Sequence, residues 1–293
     1  MPEATVYLNG RFMPAAEAGI DIEDRGHLFG DGVYEVVRYY GGRPFRMQPH
    51  VERLKRSLDG ICLPGVDSDA LAGVSDELVR RNALAEAKVY WQITRGVPAG
   101  GRNHVFPSGA DAAAPTVLMI AYPGQPLDPE APPKRTTAII AEDTRWTRPW
   151  IKSLMLLPNT LAKTAAAAAG AGEAILERAK PGTDQRHITE GSATNIAIVT
   201  GGTLRTHPDD GWILGGITRG FMLESCRTLG IPVDETPYGR DDVYAADEVM
   251  LTSSTSEVTA ITRVDDRPVS DRGDAAGPVA RRLHRHFMDT LFG

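Results

Sequence analysis

The stretch TRPWIKSLMLLPN, residues 147–159, carries one lysine, Lys152, between Trp150 and a run of large apolar side chains. A lysine ordinarily keeps its ammonium in water, because burying an unpaired charge is costly. Two readings fit. In one, Lys152 ends a strand and its ammonium snorkels to solvent. In the other, the amine is held partly dry, so that it can lose a proton and form a Schiff base with a carbonyl compound. The stretch by itself favours the first, and only the surrounding chain can decide.

The chain has 293 residues, enough for one large domain or two of ordinary size, each with its own core. A hydrophobic share of 42%, a charged share of 24% and a net charge of -6 are those of a globular enzyme-sized protein and argue against nucleic acid as a partner. The dense basic stretch ARRLHRHF coincides with Val279, Leu283, Phe287 and Leu291 at intervals of four, which predicts the solvated face of a helix. Cys62 and Cys226 lie far apart with no CxxC or Cys/His cluster, so neither a disulfide framework nor a metal site is expected. The opening MPEATVYLNG lacks a basic region followed by an apolar run, and no segment has the length of a membrane span. The expectation is a cytoplasmic protein with no membrane partner.

Working outward from Lys152, the first third reads as an α+β unit. TVYLNGRFM and VYEVVRYYGGRPF are hairpin patterns around Asn-Gly and Gly-Gly turns. PHVERLKRSLDGI and SDALAGVSDELVRRNAL have helical spacing, and AKVYWQITRG and PTVLMIAY return to strand composition. YPGQPLDPEAPPK, residues 122–134, holds five prolines and supports neither a helix nor an interior strand. The domains are therefore expected at 1–121 and 135–293, with 122–134 as linker. The second opens with the strand TTAIIAED, reaches Lys152, and continues into TLAKTAAAAAG, whose five consecutive alanines favour a helix. Strands at EAILERA, TNIAIVT, EVMLTS and EVTAITRV, a helix around GITRG and a C-terminal helix complete it.

Four further motifs bear chemistry. FGDGVYEVV has a glycine pair, but the glycines lead into a β-branched strand rather than a helix, so they read as a tight turn and not as a nucleotide loop. In HITEGSATNIAIV, Glu190 precedes a buried strand and is as readily a turn carboxylate as a functional one. In WILGGITRG, Ile217 and Thr218 open a helix whose free N–H groups and dipole suit an anion, although an ordinary helix start fits equally. LTSSTSEV clusters hydroxyls that either bind phosphate oxygens or satisfy a turn. Together, a Schiff-base lysine, a carboxylate and two anion-suited turns are the parts that a pyridoxal phosphate site requires.

At these residues the chain resembles a known family. DRGHLFGDGVYEVV, HVERL, VYWQITRG, IKSLMLL, ITEGSATNI, ILGGITRG and LTSSTSEV occur in the order seen in the fold-type IV pyridoxal phosphate aminotransferases, with the D-amino acid aminotransferases nearest in pattern. The resemblance implies an α+β two-domain fold, with pyridoxal 5'-phosphate between a small N-terminal α/β domain and a larger, mixed β-barrel-like C-terminal domain. It assigns Lys152 as the Schiff-base lysine and Glu190 as the carboxylate facing the pyridine nitrogen. Arg53, which periodicity alone would leave solvated beside Leu54, matches a phosphate-binding arginine. Ile217, Thr218 and Ser254 match further phosphate contacts, and Leu214 matches a leucine packed on the ring.

Substrate selection falls elsewhere. In VPAGGRNHVFP, Arg102 and His104 repeat the Arg-x-His spacing that, with a tyrosine matching Tyr34, holds the α-carboxylate of a D-amino acid in the family. An arginine fork suits a carboxylate because it makes two parallel hydrogen bonds. The PAGG approach is longer than the family pattern, and an exposed loop arginine is the competing reading. The resemblance implies a homodimer whose subunits share active sites, and transamination of D-alanine-type substrates with 2-oxoglutarate through a pyridoxamine phosphate form. The rivals within the family are branched-chain L-amino acid aminotransferase, (R)-amine transaminase and aminodeoxychorismate lyase. Outside it stands a non-catalytic cofactor-binding protein. Against the branched-chain enzymes, this chain reads YEVVR where they show FEGIR.

Overall fold

The computed structural model describes residues 4–179, 182–271, 273 and 275–293. Part of the opening stretch read for a leader, residues 1–3, lies outside them. The chain divides into two compact units, Met1–Pro126 with Ile151–Met155, and Leu127–Trp150 with Leu156–Gly293. The division departs from the expected one at the residues around Lys152, which group with the first unit.

The first unit is a six-stranded antiparallel sheet with helices. In chain order it comprises β1 (Thr5–Leu8), β2 (Arg11–Pro14), α1 (Arg25–Phe29), β3 (Gly32–Tyr40), β4 (Arg43–Pro44), α2 (Met47–Gly60), α3 (Ala70–Arg81), β5 (Ala87–Thr94) and β6 (Thr116–Pro123). The sheet order is β2-β1-β6-β5-β3-β4. Along β5 the side chains alternate, and Ala87, Val89, Trp91 and Ile93 are all buried. That period of two supplies an apolar face on which α3 packs, while α2 packs on the neighbouring β3, and Leu54, Leu58 and Leu78 are buried on these helices. Burying each such side chain stabilises the unit by roughly 1.5–3 kcal/mol. β6 runs through Tyr122 and Pro123, so strand pairing extends into the start of the expected linker.

The second unit contains β7 (Lys134–Glu142), α4 (Leu157–Ala168), β8 (Glu173–Ala179), β9 (Arg186–Gly191), β10 (Asn195–Thr200), β11 (Thr203–Thr206), α5 (Ile217–Leu229), β12 (Val233–Asp234), α6 (Arg240–Tyr244), β13 (Glu248–Ser253), β14 (Glu257–Val264), β15 (Arg267–Pro268) and α7 (Pro278–Phe292). Its mixed sheet runs β12-β11-β10-β13-β14-β7-β8-β9, with β15 on β14, and curls so that β9 lies beside β10. One buried cluster joins Met222, Cys226, Met250, Ala260 and Leu283 from helices and strands alike. On α7 the arginines are exposed as expected, but His284 is buried and its Nε2 donates to the Ala131 carbonyl at 3.0 Å. Both cysteines are free. Among the described residues no helix is long and apolar enough to cross a membrane.

Candidate active site

Lys152 lies on a short extended segment stitched to the start of β3. Tyr34 N donates to the Lys152 carbonyl at 2.9 Å, Leu154 N donates to the Gly32 carbonyl at 3.0 Å, and Val33 bridges Ser153. Gly32 is required here, since a Cβ would stand 2.5 Å from the Ile93 carbonyl oxygen. Lys152 N also donates to Ser57 Oγ of α2 at 3.2 Å. The side chain is half-buried, and its Nζ lies 4.2 Å from the centroid of the Tyr34 ring. Among the described residues no carboxylate pairs with it. The ammonium is thus held against an aromatic face.

Beside it in the same unit, α2 presents Arg53, which is buried rather than solvated. Its Nε and Nη2 donate to Glu35 Oε1 and Oε2 at 2.7 and 2.8 Å. His50 Nδ1 donates to Glu35 Oε2 at 2.8 Å, while His50 Nε2 is buried without a hydrogen-bond partner among the described residues. Burial would raise the Glu35 carboxyl, but Arg53 and His50 outweigh it and hold it well below the usual carboxylate range. Burial pushes the His50 imidazole below its ordinary value against the pull of Glu35, and the nearby Lys152 charge pushes the same way as burial. Glu35 and His50 escaped the sequence reading. Their signal was faint: a glutamate interrupting the apolar run VYEVV, and a histidine three residues before Arg53 on a helix.

In the second unit Glu190 is a buried strand residue at the end of β9, not a turn carboxylate. It accepts from Arg145 Nη1, from Asn195 Nδ2 at 2.9 Å and from Leu214 N at 3.1 Å. Asn195 Nδ2 also donates to the Leu214 carbonyl at 2.8 Å, so Glu190, Asn195 and Leu214 are locked together. Arg145 is oriented by Asp143, at 2.9 Å from Nε and 2.8 Å from Nη2, and Asp143 accepts in turn from Arg178 Nη2 at 3.0 Å. Burial raises the Glu190 carboxyl above its usual value, although Arg145 opposes it. Asp143 goes the other way, because Arg145 and Arg178 outweigh its burial.

The remaining candidates converge on α5 and β13, which pack together. Ile217 and Thr218 form the buried first turn of α5, and among the described residues no side chain caps that helix start. At Gly216 before them, a Cβ would stand 1.9 Å from Asn195 Oδ1, so a side chain there would displace that amide. β13 ends in the turn 254–256, where Ser253 Oγ accepts from Thr255 N and Ser256 N at 3.3 and 3.0 Å. Ser254 hydroxyl makes no hydrogen bond among the described residues, and Thr252 Oγ1 is buried with none. Thr252 stands opposite Asn195 in the β10–β13 register, which ties this hydroxyl end to the Glu190 cluster.

Arg102 and His104 fall on the long excursion between β5 and β6. Both are exposed, and they meet over Phe29: the Arg102 guanidinium lies 4.8 Å from that ring and His104 is 5.2 Å from it. Tyr34 lies with Lys152 instead, and among the described residues no hydrogen bond or ring contact joins Tyr34 to either.

Comparison with known proteins bears on this arrangement. The family described as amino-transferase class IV matches residues 32–264. The D-alanine aminotransferase of Listeria innocua is 40% identical over 287 residues, covering 98% of this chain and 96% of its own. That of Staphylococcus aureus is 36% identical over 283 residues, covering 96% of each. Among solved structures, the branched-chain amino acid aminotransferase of Escherichia coli is similar with a TM-score of 0.85 at 25% identity, over 99% of this chain and 95% of that one. The branched-chain aminotransferase of the archaeon Thermoproteus uzoniensis, solved with norvaline, has a TM-score of 0.82 at 26% identity, over 98% and 94%.

Proposed function

Because the chain belongs to the class IV amino-transferase family, we propose that this aminotransferase moves the amino group of a D-amino acid, D-alanine first among them, to a 2-oxo acid such as 2-oxoglutarate. The observation that carries the chemistry is the amine of Lys152, half-buried on the Tyr34 ring without a carboxylate partner among the described residues. Sequence likeness favours the D-amino acid substrate, since the D-alanine enzymes are 36–40% identical over nearly the whole chain.

The residues fit pyridoxal 5'-phosphate. Among the described residues, an amine with no carboxylate partner suits its carbonyl, a buried carboxylate with raised proton affinity suits its pyridine nitrogen, and a helix start without a side-chain cap beside the unpartnered Thr252 hydroxyl suits its phosphate. On this reading Lys152 would carry the covalent attachment, Glu190 would serve the ring nitrogen and Leu214 the ring, and Arg53, Ile217, Thr218 and Ser254 would hold the phosphate. When bound, the cofactor supplies the electron sink that makes the substrate α-proton acidic.

The protein's own part is to place and move protons. Lys152 Nζ would serve as general base, taking the substrate α-proton and giving it back later in turnover. Arg145 holds Glu190 in one orientation while Asp143 holds Arg145, so the carboxylate needs no rearrangement during turnover. Glu35 does the same for Arg53. Arg102 and His104 receive the substrate carboxylate together with Tyr34. Within one chain Arg102 and His104 meet over Phe29 while the Tyr34 ring lies under Lys152, and Val105 and Phe106 beside the pair are 71% and 48% exposed, which favours a homodimer in which one subunit lends the pair to its partner's site.

The likeness in fold to branched-chain enzymes supports a second reading, an L-branched-chain substrate. Single-turnover mixing of the yellow holoenzyme with D-alanine, L-leucine or (R)-1-phenylethylamine separates them. Loss of the cofactor's visible band with D-alanine at a rate far above the others is the expected result. A faster response to L-leucine would replace the first reading with the second.

A further inference from the structure

Arg25 is only 3% exposed, and its guanidinium is engaged in several directions within the first unit. Nε donates to Asp31 Oδ2 at 2.7 Å. Nη1 donates to the Asn103 carbonyl and reaches that of Val105 at 3.5 Å, and Nη2 reaches that of His104 at 3.5 Å. Three consecutive carbonyls of the loop bearing Arg102 and His104 therefore converge on one buried side chain.

Arg25 is itself immobilised. Asp24 caps α1 by accepting from Gly26 N at 2.7 Å, and its other oxygen accepts from Thr94 Oγ1 at 2.9 Å. Arg25 N donates to the Gly96 carbonyl at the root of the loop, at 3.0 Å. Asp31 is shared with Arg95 Nε at 2.9 Å, and Arg95 grips the Ile61 and Cys62 carbonyls beyond α2 at 2.6 and 3.0 Å. Gly26 lets α1 approach β5 this closely, since a Cβ there would lie 2.2 Å from Thr94 Cγ2. Two aromatic rings complete the mount. Phe29 lies 4.7 Å from the Arg25 guanidinium and also carries Arg102, while Phe106 lies 3.7 Å from that of Arg95.

The loop beyond has no core of its own, with residues 102–106 all exposed, so its conformation depends on what grips its backbone. A planar fork with five donors can hold a carboxylate and several carbonyls at once, which an ammonium cannot. We infer that Arg25 is a positioning residue for substrate selection: it fixes where Arg102 and His104 are presented, and thereby the preference for substrates bearing an α-carboxylate. The inference rests on the proposed role of Arg102 and His104, and it assigns Arg25 no contact with substrate.

The test is Arg25→Lys in the holoenzyme, which keeps the charge and loses the fork. Amide hydrogen exchange across residues 101–106 should quicken about ten-fold or more, as loss of hydrogen bonds worth about 1.4 kcal/mol would produce. For D-alanine, kcat/KM should fall about ten-fold, mainly through KM, while (R)-1-phenylethylamine is unaffected. In an Arg102→Ala background the same change should cost D-alanine nothing further. Unchanged exchange overturns the clamp. Faster exchange with equal losses for both substrates overturns the positioning role and leaves a structural one. Should Arg102→Ala alone reduce both substrates equally, the carboxylate role fails and this inference with it, whatever the exchange shows. If Arg25→Lys does not fold, Asp31→Asn, which leaves Arg25 in place without the carboxylate that orients it, carries the same readouts.

Discussion

Lys152 Nζ lies 4.2 Å from the centre of the Tyr34 ring, and the backbones of the two residues are joined by a 2.9 Å hydrogen bond. The lysine is therefore positioned by the strand that supplies its aromatic neighbour, so ring and hydroxyl of Tyr34 can be tested separately. Borohydride treatment of the holoenzyme followed by peptide mapping should place the pyridoxyl group on Lys152, and an adduct on Lys163 would count against it. Tyr34→Phe keeps the ring and should leave that labelling intact. On the proposed role of Tyr34 it removes one hydrogen bond to the substrate carboxylate, worth about 0.5–1.5 kcal/mol, so KM for D-alanine should rise roughly two- to ten-fold.

Glu190→Gln should cost activity on the order of a hundred-fold or more, comparable to removing an acid–base group. The fold should survive, because Arg145 keeps its two bonds to Asp143. Steady-state kinetics on cofactor-saturated enzyme, with thermal unfolding as the control, checks both halves. Near-normal turnover contradicts the assignment.

Arg102→Ala should reduce kcat/KM for D-alanine on the order of ten- to a hundred-fold, since a charge-assisted bond contributes roughly 1.5–3 kcal/mol, and should scarcely change that for (R)-1-phenylethylamine. Activity towards D-alanine should also fall on dilution to the monomer, measured beside sedimentation of the same samples. A fully active monomer would mean that no second subunit is needed.

Acid should destabilise the first unit in two stages. His50 has a lowered value when folded, so the unfolded chain binds the extra proton first, and stability falls as pH drops below about 6.5. Glu35 is also lowered, so its contribution is present above about 4.5 and is lost as pH falls towards its folded value. Glu190, raised by burial, acts with the opposite sign. Urea unfolding at pH 7.5 and 5.5 should show that His50→Asn removes a slope of up to about 1.4 kcal/mol per pH unit. An unchanged slope would mean that His50 is not the titrating group.

Gly216→Ala should lower stability by about 1–3 kcal/mol, because its Cβ would meet Asn195 Oδ1 at 1.9 Å and displace the amide that holds Glu190 and Leu214. Cofactor affinity, followed by absorbance titration, should fall with it. Wild-type affinity in a fully folded variant would separate the helix start from the Glu190 cluster.

The sequence was most legible where chemistry and period are local. The alternation in AKVYWQIT, the helical spacing of PHVERLKRSL and the alanine run of α4 each determine an element by themselves. β9, β11, β12, α1 and α6, of two to six residues and without an apolar run to mark them, carry too few positions for a period to show. Lys152 stood out because a lone lysine in an apolar run is chemically conspicuous, and Ile217 and Thr218 because two glycines announce a helix start.

What only tertiary structure decided is which charge meets which. Arg145 reaches Glu190 across 45 positions, Arg25 reaches the Asn103 carbonyl across 78, and Arg53 is buried on Glu35 where helical spacing alone left it in solvent. The physical reason lies in range. Side-chain periodicity is set by a residue's near neighbours, whereas a buried ion pair depends on the register of strands and helices distant in the chain. A sequence therefore declares which charges it has. The fold determines which of them hold one another, and it leaves the amine of Lys152 on an aromatic ring without a carboxylate partner among the described residues.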